Sequence, residues 1–220
     1  MKDLNKLLLN FDHKKNFKDN DFYVSKSNYF AFNMINSWPK WEKNFLNICG
    51  DKYSGKSHLT NIFLKKFKGL IIDANFFKSD HLKKIKIFEN IILENFTEIV
   101  DEKLIYSLFN IIDQDNKYLI INSLIPIEKI EFKLNDLRSR TKNCLTAHIE
   151  KPDDELMFAL ILKNLSDRQI TIDKKLIDYI IKRVERSYGK IFEFIYKIDE
   201  VSLKKKKSID FKIIKEVLGD

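Results

Sequence analysis

The chain has 220 residues, of which 44% are hydrophobic and 33% are charged. This length allows one sizeable core with a small second domain, and the composition is that of a globular rather than a disordered protein. No apolar run approaches the roughly 20 residues that span a bilayer, and the amino terminus lacks the apolar segment and cleavage site of a signal peptide. We therefore expect a cytoplasmic protein with no membrane partner.

The formal net charge of +8 is compatible with an anionic partner. The positive residues are spread along the chain, however, and a spread excess is typical of a solvated surface. The basic run at 204–207 is interpreted in the same way, as a solvated loop. Cys49 and Cys144 are far apart, and neither they nor the four histidines have the spacing of metal ligands.

In chain order, residues 1–20 form a polar amino-terminal arm with one short apolar patch at 7–11. Alternate apolar residues in such an arm suit insertion into a partner's pocket, although an arm folded onto its own domain is an equal alternative. A helix follows whose apolar residues share one face. Ser27 is its predicted N-cap and Pro39 its predicted end.

Residues 21–150 alternate between strand and helix patterns, which predicts a parallel sheet covered by helices on both faces. The predicted helices lie at 56–67, 102–112 and 130–140. The five predicted strands are 45–49, 69–73, 90–94, 118–122 and 144–150. From 151 to 220 only helical periodicity remains, so we predict a small all-α lid domain there, with helices near 153–165, 173–186, 188–203 and 209–218.

The stretch Gly50-x4-Gly55-Lys56-Ser57 has the spacing of a phosphate-binding P-loop. It lies between a predicted strand and a predicted helix, which is the context that this loop requires. The backbone N–H groups would surround a β-phosphate, Lys56 would reach the β- and γ-phosphates, and Ser57 would hold Mg²⁺. The sequence therefore predicts binding of ADP or ATP with Mg²⁺.

A P-loop site also needs a carboxylate at the end of a neighbouring strand, to hold a water of the metal. Asp73 and Glu94 both occupy such positions. Glu94 is followed by Asn95, whose amide can orient a water molecule but cannot take its proton. We expect weak hydrolysis, and we expect Asn95→Asp to raise whatever rate exists.

Two arginines, Arg138 and Arg140, end a predicted helix just before a strand. Residues two apart do not share a helix face, so one could pair locally while the other points away from the domain. We expect the outward arginine to leave the domain near the nucleotide edge, where it could complete a neighbour's phosphate site. Taken alone, these residues favour the simpler interpretation of a surface salt bridge.

Several segments together resemble the bacterial replication-initiator DnaA family, and most of all its short homologue, the Hda-type regulator. The segments are "DFYVSKSNYFAFNMINSWPKW", "GDKYSGKSHLTNIF", "LNDLRSR" and "PDDELMFALILKNLSDRQITIDKKLIDYIIKRVERS". They follow the family's order along nearly the whole chain. The resemblance implies the AAA+ fold, with a five-stranded parallel sheet flanked by helices and then a helical lid.

The resemblance also implies roles for individual residues. Glu94 would be the metal-side acid, Asn122 the polar sensor, and Arg140 the arginine that acts across a subunit boundary. The adenine would lie near Phe22, Tyr23 and Val24. The matching P-loop residues are Gly50, Gly55, Lys56, Ser57 and His58. The implied motif for the sliding clamp, the β subunit of DNA polymerase III, comprises Lys6, Leu7, Leu9 and Phe11.

Four features depart from the family pattern. Ordering a polar arm is costly, so only micromolar clamp affinity is expected, and Lys6 in place of the usual Gln weakens it further. Asn95 replaces the second acid. Phe192 stands about where the initiator carries its lid arginine. The chain also ends after the lid, where the initiator continues into a DNA-reading domain.

These features favour a regulatory protein that docks on the DNA-loaded clamp and promotes hydrolysis of initiator-bound ATP, with DNA contacted indirectly. An autonomous ATPase of the helicase- or clamp-loader type, and an initiator relative that binds DNA directly, are the alternatives. A homo-oligomer is compatible with each.

Overall fold

A computed structural model describes residues 22–219, so the amino-terminal arm with Lys6, Leu7, Leu9 and Phe11 lies outside the described residues. The central element is one five-stranded sheet, in which all the strand pairs are parallel and the strand order is β2-β3-β4-β1-β5. The strands are β1 Phe45–Gly50, β2 Gly69–Asp73, β3 Asn90–Phe96, β4 Tyr118–Ser123 and β5 Leu145–Ile149.

Helices cover the sheet and form the lid. Those of the sheet domain are α1 Tyr29–Asn36, α2 Lys56–Lys66, α3 Ser79–Ile85, α4 Glu102–Gln114 and α5 Asn135–Thr141. Those of the lid are α6 Asp154–Asp167, α7 Lys174–Ile181, α8 Tyr188–Lys205 and α9 Phe211–Leu218. Short 3₁₀ turns lie at Ala74–Phe76 and Ile127–Lys129. None of the helices in the described part of the chain is long and apolar enough to cross a membrane.

Helices pack on both faces of the sheet. Because successive side chains of a strand point to opposite faces, both sets are buried. On one face, Ile91 and Leu93 of β3 pack against α4. On the other, Ile92 of β3 and Ile48 of β1 pack against α1 and α2. The apolar runs that predicted these strands therefore mark a sheet with no solvated face at its centre.

The lid has its own core, in which apolar residues of α6, α7, α8 and α9 pack together. Two lid side chains, Leu156 and Tyr188, instead belong to the core on the α1–α2 face of the sheet. The Tyr188 hydroxyl donates a hydrogen bond to the carbonyl oxygen of Glu150, at 3.0 Å. The lid is thus docked on the sheet domain through the segment that joins them.

The sequence predictions of a five-stranded parallel sheet flanked by helices and of a helical lid are confirmed, but four local details are wrong. The helix predicted near 173–186 ends at Ile181. The predicted helix at 130–140 begins only at Asn135, and helix α3 was not predicted. The predicted cap Ser27 is not the N-cap of α1, because Asn28 occupies that position. The Ser27 hydroxyl lies instead 2.7 Å from that of Ser25, and it donates to Asp153 of the lid.

Candidate functional site

The P-loop follows β1 at the carboxyl edge of the sheet and leads directly into α2. Gly50 approaches β5 so closely that a Cβ atom there would lie 2.8 Å from the carbonyl oxygen of Ile149. Gly55 has a φ of +97°, which disfavours residues with a side chain, and a Cβ would lie 3.1 Å from the ring of Phe22. Both glycines of the motif are therefore required by the backbone, which leaves the loop free to bring its N–H groups to a phosphate.

Lys56 lies over this loop. Its ammonium donates to the carbonyl oxygens of Gly50, at 2.7 Å, and of Asp51, at 2.8 Å. Burial lowers the pKa of Lys56, and the carboxylates of Glu94 and Asp51 only partly offset this effect. A phosphate group would return to the ammonium the favourable interactions that it lost with water.

Glu94, on β3, is buried, and its carboxylate faces the first turn of α2. The Ser57 hydroxyl donates to Oε2 at 2.8 Å. The Thr60 hydroxyl donates to Oε1 at 2.7 Å, and the Asn122 amide donates to the same oxygen at 2.8 Å. Asn122 lies at the end of β4, and its Oδ1 atom is buried with no hydrogen-bond partner. The structure thus brings the predicted Ser57, Glu94 and Asn122 together and adds Thr60 to them.

This donor set fits a magnesium ion that arrives with a nucleotide. Mg²⁺ is usually held by one or two protein side chains together with waters and substrate phosphates. Ser57 supplies a hydroxyl oxygen, and Glu94 supplies a carboxylate that can accept hydrogen bonds from metal-bound water. Within residues 22–219, no cluster of three or more His, Cys, Asp or Glu side chains is arranged to hold a metal by itself.

Asp73 and Asn95 form a separate pair at the same edge. The Asn95 amide donates to Oδ2 of Asp73 at 2.7 Å, while Oδ1 accepts from the N–H of Asn75. Because β2 lies beyond β3 from the P-loop strand, this contact turns the Asn95 side chain away from the phosphate site. Of the two acids considered in the sequence, Glu94 faces the P-loop and Asp73 caps the following turn.

The predicted adenine-side residues lie beside the P-loop. The Phe22 ring stacks on Phe32 with a centroid distance of 5.9 Å, and it meets the His58 ring edge-on at 5.3 Å. The Tyr23 hydroxyl donates to Glu155 of the lid at 2.8 Å. Val24 follows and is half-buried. This segment therefore connects the P-loop helix with the first lid helix.

The lid reaches the P-loop through aromatic side chains. The ring of Phe192 on α8 lies 5.7 Å from the ring of Tyr53, which has a φ of +69°. Lys190, two residues earlier, forms an ion pair with Glu193 at 3.1 Å. The contact between Tyr53 and Phe192 depends on how the lid is docked, so no local sequence pattern predicts it.

Arg140 lies at the other edge of the sheet, and the expectation that it leaves the domain near the nucleotide edge is wrong. Helix α5 ends at Thr141, just before β5 begins, which is the amino edge of a parallel sheet. The Arg140 guanidinium forms a short ion pair with Asp113 and lies over the Tyr106 ring, 5.5 Å from its centroid. Arg138 donates to the carbonyl oxygen of Phe132 at 2.7 Å, so both arginines have partners in this chain.

Cys49 on the P-loop strand β1 is paired with His148 on the neighbouring strand β5, with 3.3 Å between Sγ and Nδ1. Burial raises the pKa of the Cys49 thiol to about 11. The thiol is therefore protonated at neutral pH, and this pair does not supply a thiolate nucleophile.

Comparison with known proteins finds a family match in the lid and relatives over most of the chain. Residues 153–218 match the family described as "Hda, lid domain". The chromosomal replication initiator protein DnaA of Borrelia turicatae is 26% identical over 238 aligned positions, which cover 94% of this chain and 49% of the relative. An uncharacterized protein of Haemophilus influenzae is 24% identical, with 80% of this chain and 81% of that protein covered. The chain spans about half the length of the DnaA relatives that it matches.

Solved structures show the same fold. Domain III of the Thermotoga maritima replication initiation protein DnaA superposes with a TM-score of 0.74 at 19% identity, covering 94% of this chain and 97% of that chain. AMPPCP-bound DnaA from Aquifex aeolicus has a TM-score of 0.67 at 18% identity, covering 87% and 66%. The lid match and the related sequences show that this chain is similar to Hda and to DnaA, and the superpositions show that it has the fold of DnaA domain III.

Proposed function

We propose that this chain is a regulator of chromosomal replication initiation that binds ADP or ATP with Mg²⁺ at its P-loop. The observation that carries the proposal is the 2.8 Å hydrogen bond from Ser57 to Glu94, beside the half-buried ammonium of Lys56. This arrangement combines a phosphate cradle with a hydroxyl and a carboxylate for the metal. Related structures of similar fold contain AMPPCP, an ATP analogue, which supports the choice of nucleotide.

In this proposal each side of the nucleotide has its own group of residues. The adenine lies near Phe22, Tyr23 and Val24, beside His58, and the phosphates lie on the N–H groups of the P-loop. When the nucleotide is bound, Mg²⁺ neutralises phosphate charge. Glu94 and Ser57 hold its coordination sphere in place, while Asn122 holds Glu94.

Arg140 acts on a partner rather than on the chain's own nucleotide. A five-residue strand spans roughly 15 Å, so the guanidinium at the amino edge is far from the P-loop at the carboxyl edge. It is partly exposed, and an arginine supplied from outside can stabilise the charge that develops on a transferred phosphoryl group. We assign this role to Arg140 in trans, with initiator-bound ATP as its target.

The proposed partners are the initiator DnaA and the sliding clamp, the β subunit of DNA polymerase III. Lys6, Leu7, Leu9 and Phe11 would dock in the clamp, and DNA would be contacted through it. Deletion of residues 1–12 should remove clamp binding and leave ADP binding intact. If both are unchanged, the arm is not the docking segment.

An autonomous ATPase is less well supported. A water-orienting acid is absent from the position after Glu94, and the Asn95 amide there is engaged by Asp73. Turnover by the purified chain at the pace of a motor enzyme would favour that alternative.

The decisive experiment measures ATP hydrolysis by the full-length initiator from the same organism, with clamp-loaded DNA and with or without this protein. Wild-type protein should stimulate hydrolysis, and Arg140→Ala should abolish the stimulation without loss of ADP affinity. Arg140→Lys should rescue poorly, because a point charge does not replace the planar fork of donors. Arg138→Ala is the matched control, and stimulation that survives Arg140→Ala would contradict the role in trans.

A further inference from the structure

Thr60 is a fully buried polar residue of the candidate site that the sequence motifs do not mark. It lies on α2, almost one turn beyond Ser57, and none of its surface is exposed. Its hydroxyl lies 2.7 Å from Oε1 of Glu94. The question is whether this hydroxyl only satisfies its own hydrogen-bonding need or has a role in the site.

A hydroxyl has one proton, and Thr60 has three acceptors nearby. The carbonyl oxygens of Ser57 and Lys56 lie at 3.2 Å and 3.4 Å, as expected for a threonine in a helix. The carboxylate is closer, and a hydrogen bond to a charged acceptor is stronger than one to a carbonyl. The proton therefore goes to Glu94, although the helix offers Thr60 a partner of its own.

Two donors therefore hold one oxygen of the Glu94 carboxylate, and the other oxygen orients Ser57. Thr60 and the Asn122 amide both donate to Oε1, whereas Oε2 accepts from Ser57. Because the Ser57 proton is directed to Oε2, the lone pairs of the Ser57 oxygen are left for a cation. A carboxylate free to rotate would not keep Ser57 in this orientation.

We propose that Thr60 is a positioning residue that fixes Glu94, and through Glu94 the orientation of Ser57, for binding of a magnesium–nucleotide complex. The inference rests on the proposed nucleotide site and adds a residue that determines its dependence on the metal. Thr60 contacts neither nucleotide nor metal. Its loss should therefore change how strongly Mg²⁺ assists binding, and it should leave the interaction of the bare nucleotide with the loop unchanged.

The test measures the dissociation constant of ADP by calorimetry on the full chain, once with excess Mg²⁺ and once with EDTA. We call the dissociation constant in EDTA divided by that with Mg²⁺ the magnesium coupling. Thr60→Val removes the hydroxyl at almost constant shape, and we expect it to lower the coupling about tenfold, the value of one hydrogen bond to a charged group. ADP affinity in EDTA should stay within about twofold of wild type, which is a small change compared with the tenfold loss expected for that hydrogen bond.

Two variants separate positioning from a structural role. Thr60→Ser keeps the hydroxyl and should retain the coupling. Thr141→Val makes the same change at another buried threonine, at the end of α5, and should also retain it. If Thr60→Val does not fold, Thr60→Ala replaces it, with the same expected loss.

The outcomes distinguish this inference from the function on which it rests. Wild-type coupling in Thr60→Val, or an equal loss in Thr141→Val, would overturn the positioning role while leaving the nucleotide site in place. If wild-type protein binds ADP neither with Mg²⁺ nor in EDTA, the proposed nucleotide site itself is wrong.

Discussion

The two edges of the sheet differ in the kind of charge that they hold. At the carboxyl edge, the Glu94 carboxylate is buried and the Lys56 ammonium is half-buried, and both are held by neutral donors and acceptors. At the amino edge, Arg140 and Asp113 neutralise each other while remaining partly exposed. The first arrangement suits a charged ligand that enters the fold, and the second suits an arginine that can leave its partner for another protein.

The difference has a topological origin. In a parallel sheet every strand ends at the same edge, so the loops after β1, β3 and β4 meet there. The helices that return to the next strand end at the opposite edge, and Arg140 is the penultimate residue of such a helix. A P-loop and an arginine placed in this way cannot serve one nucleotide within one chain.

The strongest test of this separation removes one positively charged side chain at a time, Lys56 at the carboxyl edge or Arg140 at the amino edge. Lys56→Ala should abolish the thermal shift given by ADP with Mg²⁺, because the loop then lacks its phosphate-binding charge. Arg140→Ala should keep the full shift and lose at most about 1 kcal/mol of stability from its exposed ion pair. Loss of the shift in Arg140→Ala would show that the two edges are not independent.

A second test adds charge to the carboxyl edge. Asn95→Asp would place a carboxylate against that of Asp73, where the Asn95 amide now donates at 2.7 Å. The geometry thus reverses the sequence-based expectation of faster hydrolysis, and we expect a loss of about 1–2 kcal/mol in the free energy of unfolding with no gain in rate.

Urea denaturation and a phosphate-release assay measure these two quantities. The double variant Asp73→Asn with Asn95→Asp exchanges donor and acceptor and should recover most of the stability. A faster rate in the single variant without loss of stability would restore the original expectation.

A third test concerns the contact between the sheet domain and the lid. Burial alone would raise the pKa of Asp153, but hydrogen bonds from the Leu156 N–H and from Ser25 and Ser27 hold it below its ordinary value of 3.8. A depressed pKa in the folded state means that this stabilisation is present above the unfolded pKa and is lost as the pH falls through the folded one.

Asp153 is the N-cap of α6, so Asp153→Ala should cost about 1 kcal/mol at neutral pH, the usual value of an N-cap. The cost should shrink as the pH falls below 3.8 and through the lowered pKa of the folded state, because the wild-type carboxyl then becomes protonated. Urea denaturation at several pH values measures this. Asp154→Ala, at the exposed neighbouring position, is the control. If Asp153→Ala lowers the free energy of unfolding equally at both ends of the pH range, the ionised Asp153 carboxylate is not the source of the stabilisation.

The smallest effect is expected from releasing Arg140. Asp113→Asn removes the charge that holds the guanidinium in this chain, and an exposed ion pair is worth about 0.2–1 kcal/mol. If Arg140 acts in trans, stimulation of the initiator's ATP hydrolysis should rise by up to about fivefold, the factor that corresponds to such a pair. Asp115→Asn, two residues on, should have no effect, and an unchanged rate in Asp113→Asn would show that the pair does not limit the arginine.

Much of the fold could be predicted because the relevant signals are local. A buried strand is a short apolar run, an amphipathic helix has a period of 3.6 residues, and the P-loop is a continuous motif. These signals located all five strands, the helices of the lid, and Lys56 and Ser57 of the site. No local signal predicts helix α3, because its short basic segment has little apolar periodicity. The N-cap predicted at Ser27 is wrong because a hydroxyl near a helix start has more than one use, and this one donates to Asp153.

Only the tertiary structure decided which carboxylate faces the P-loop and which edge carries Arg140. Asp73 and Glu94 both end strands, but the strand order puts β3 between β2 and the rest of the sheet, so Glu94 reaches Ser57 and Thr60. Arg140 meets Asp113, 27 positions away, because α4 and α5 end at the same edge. The sequence by itself determined the phosphate loop and the alternation of strands and helices, since both depend on neighbouring residues. The partners of Glu94, Asn95 and Arg140 depend on strand order and helix direction, which no local pattern encodes.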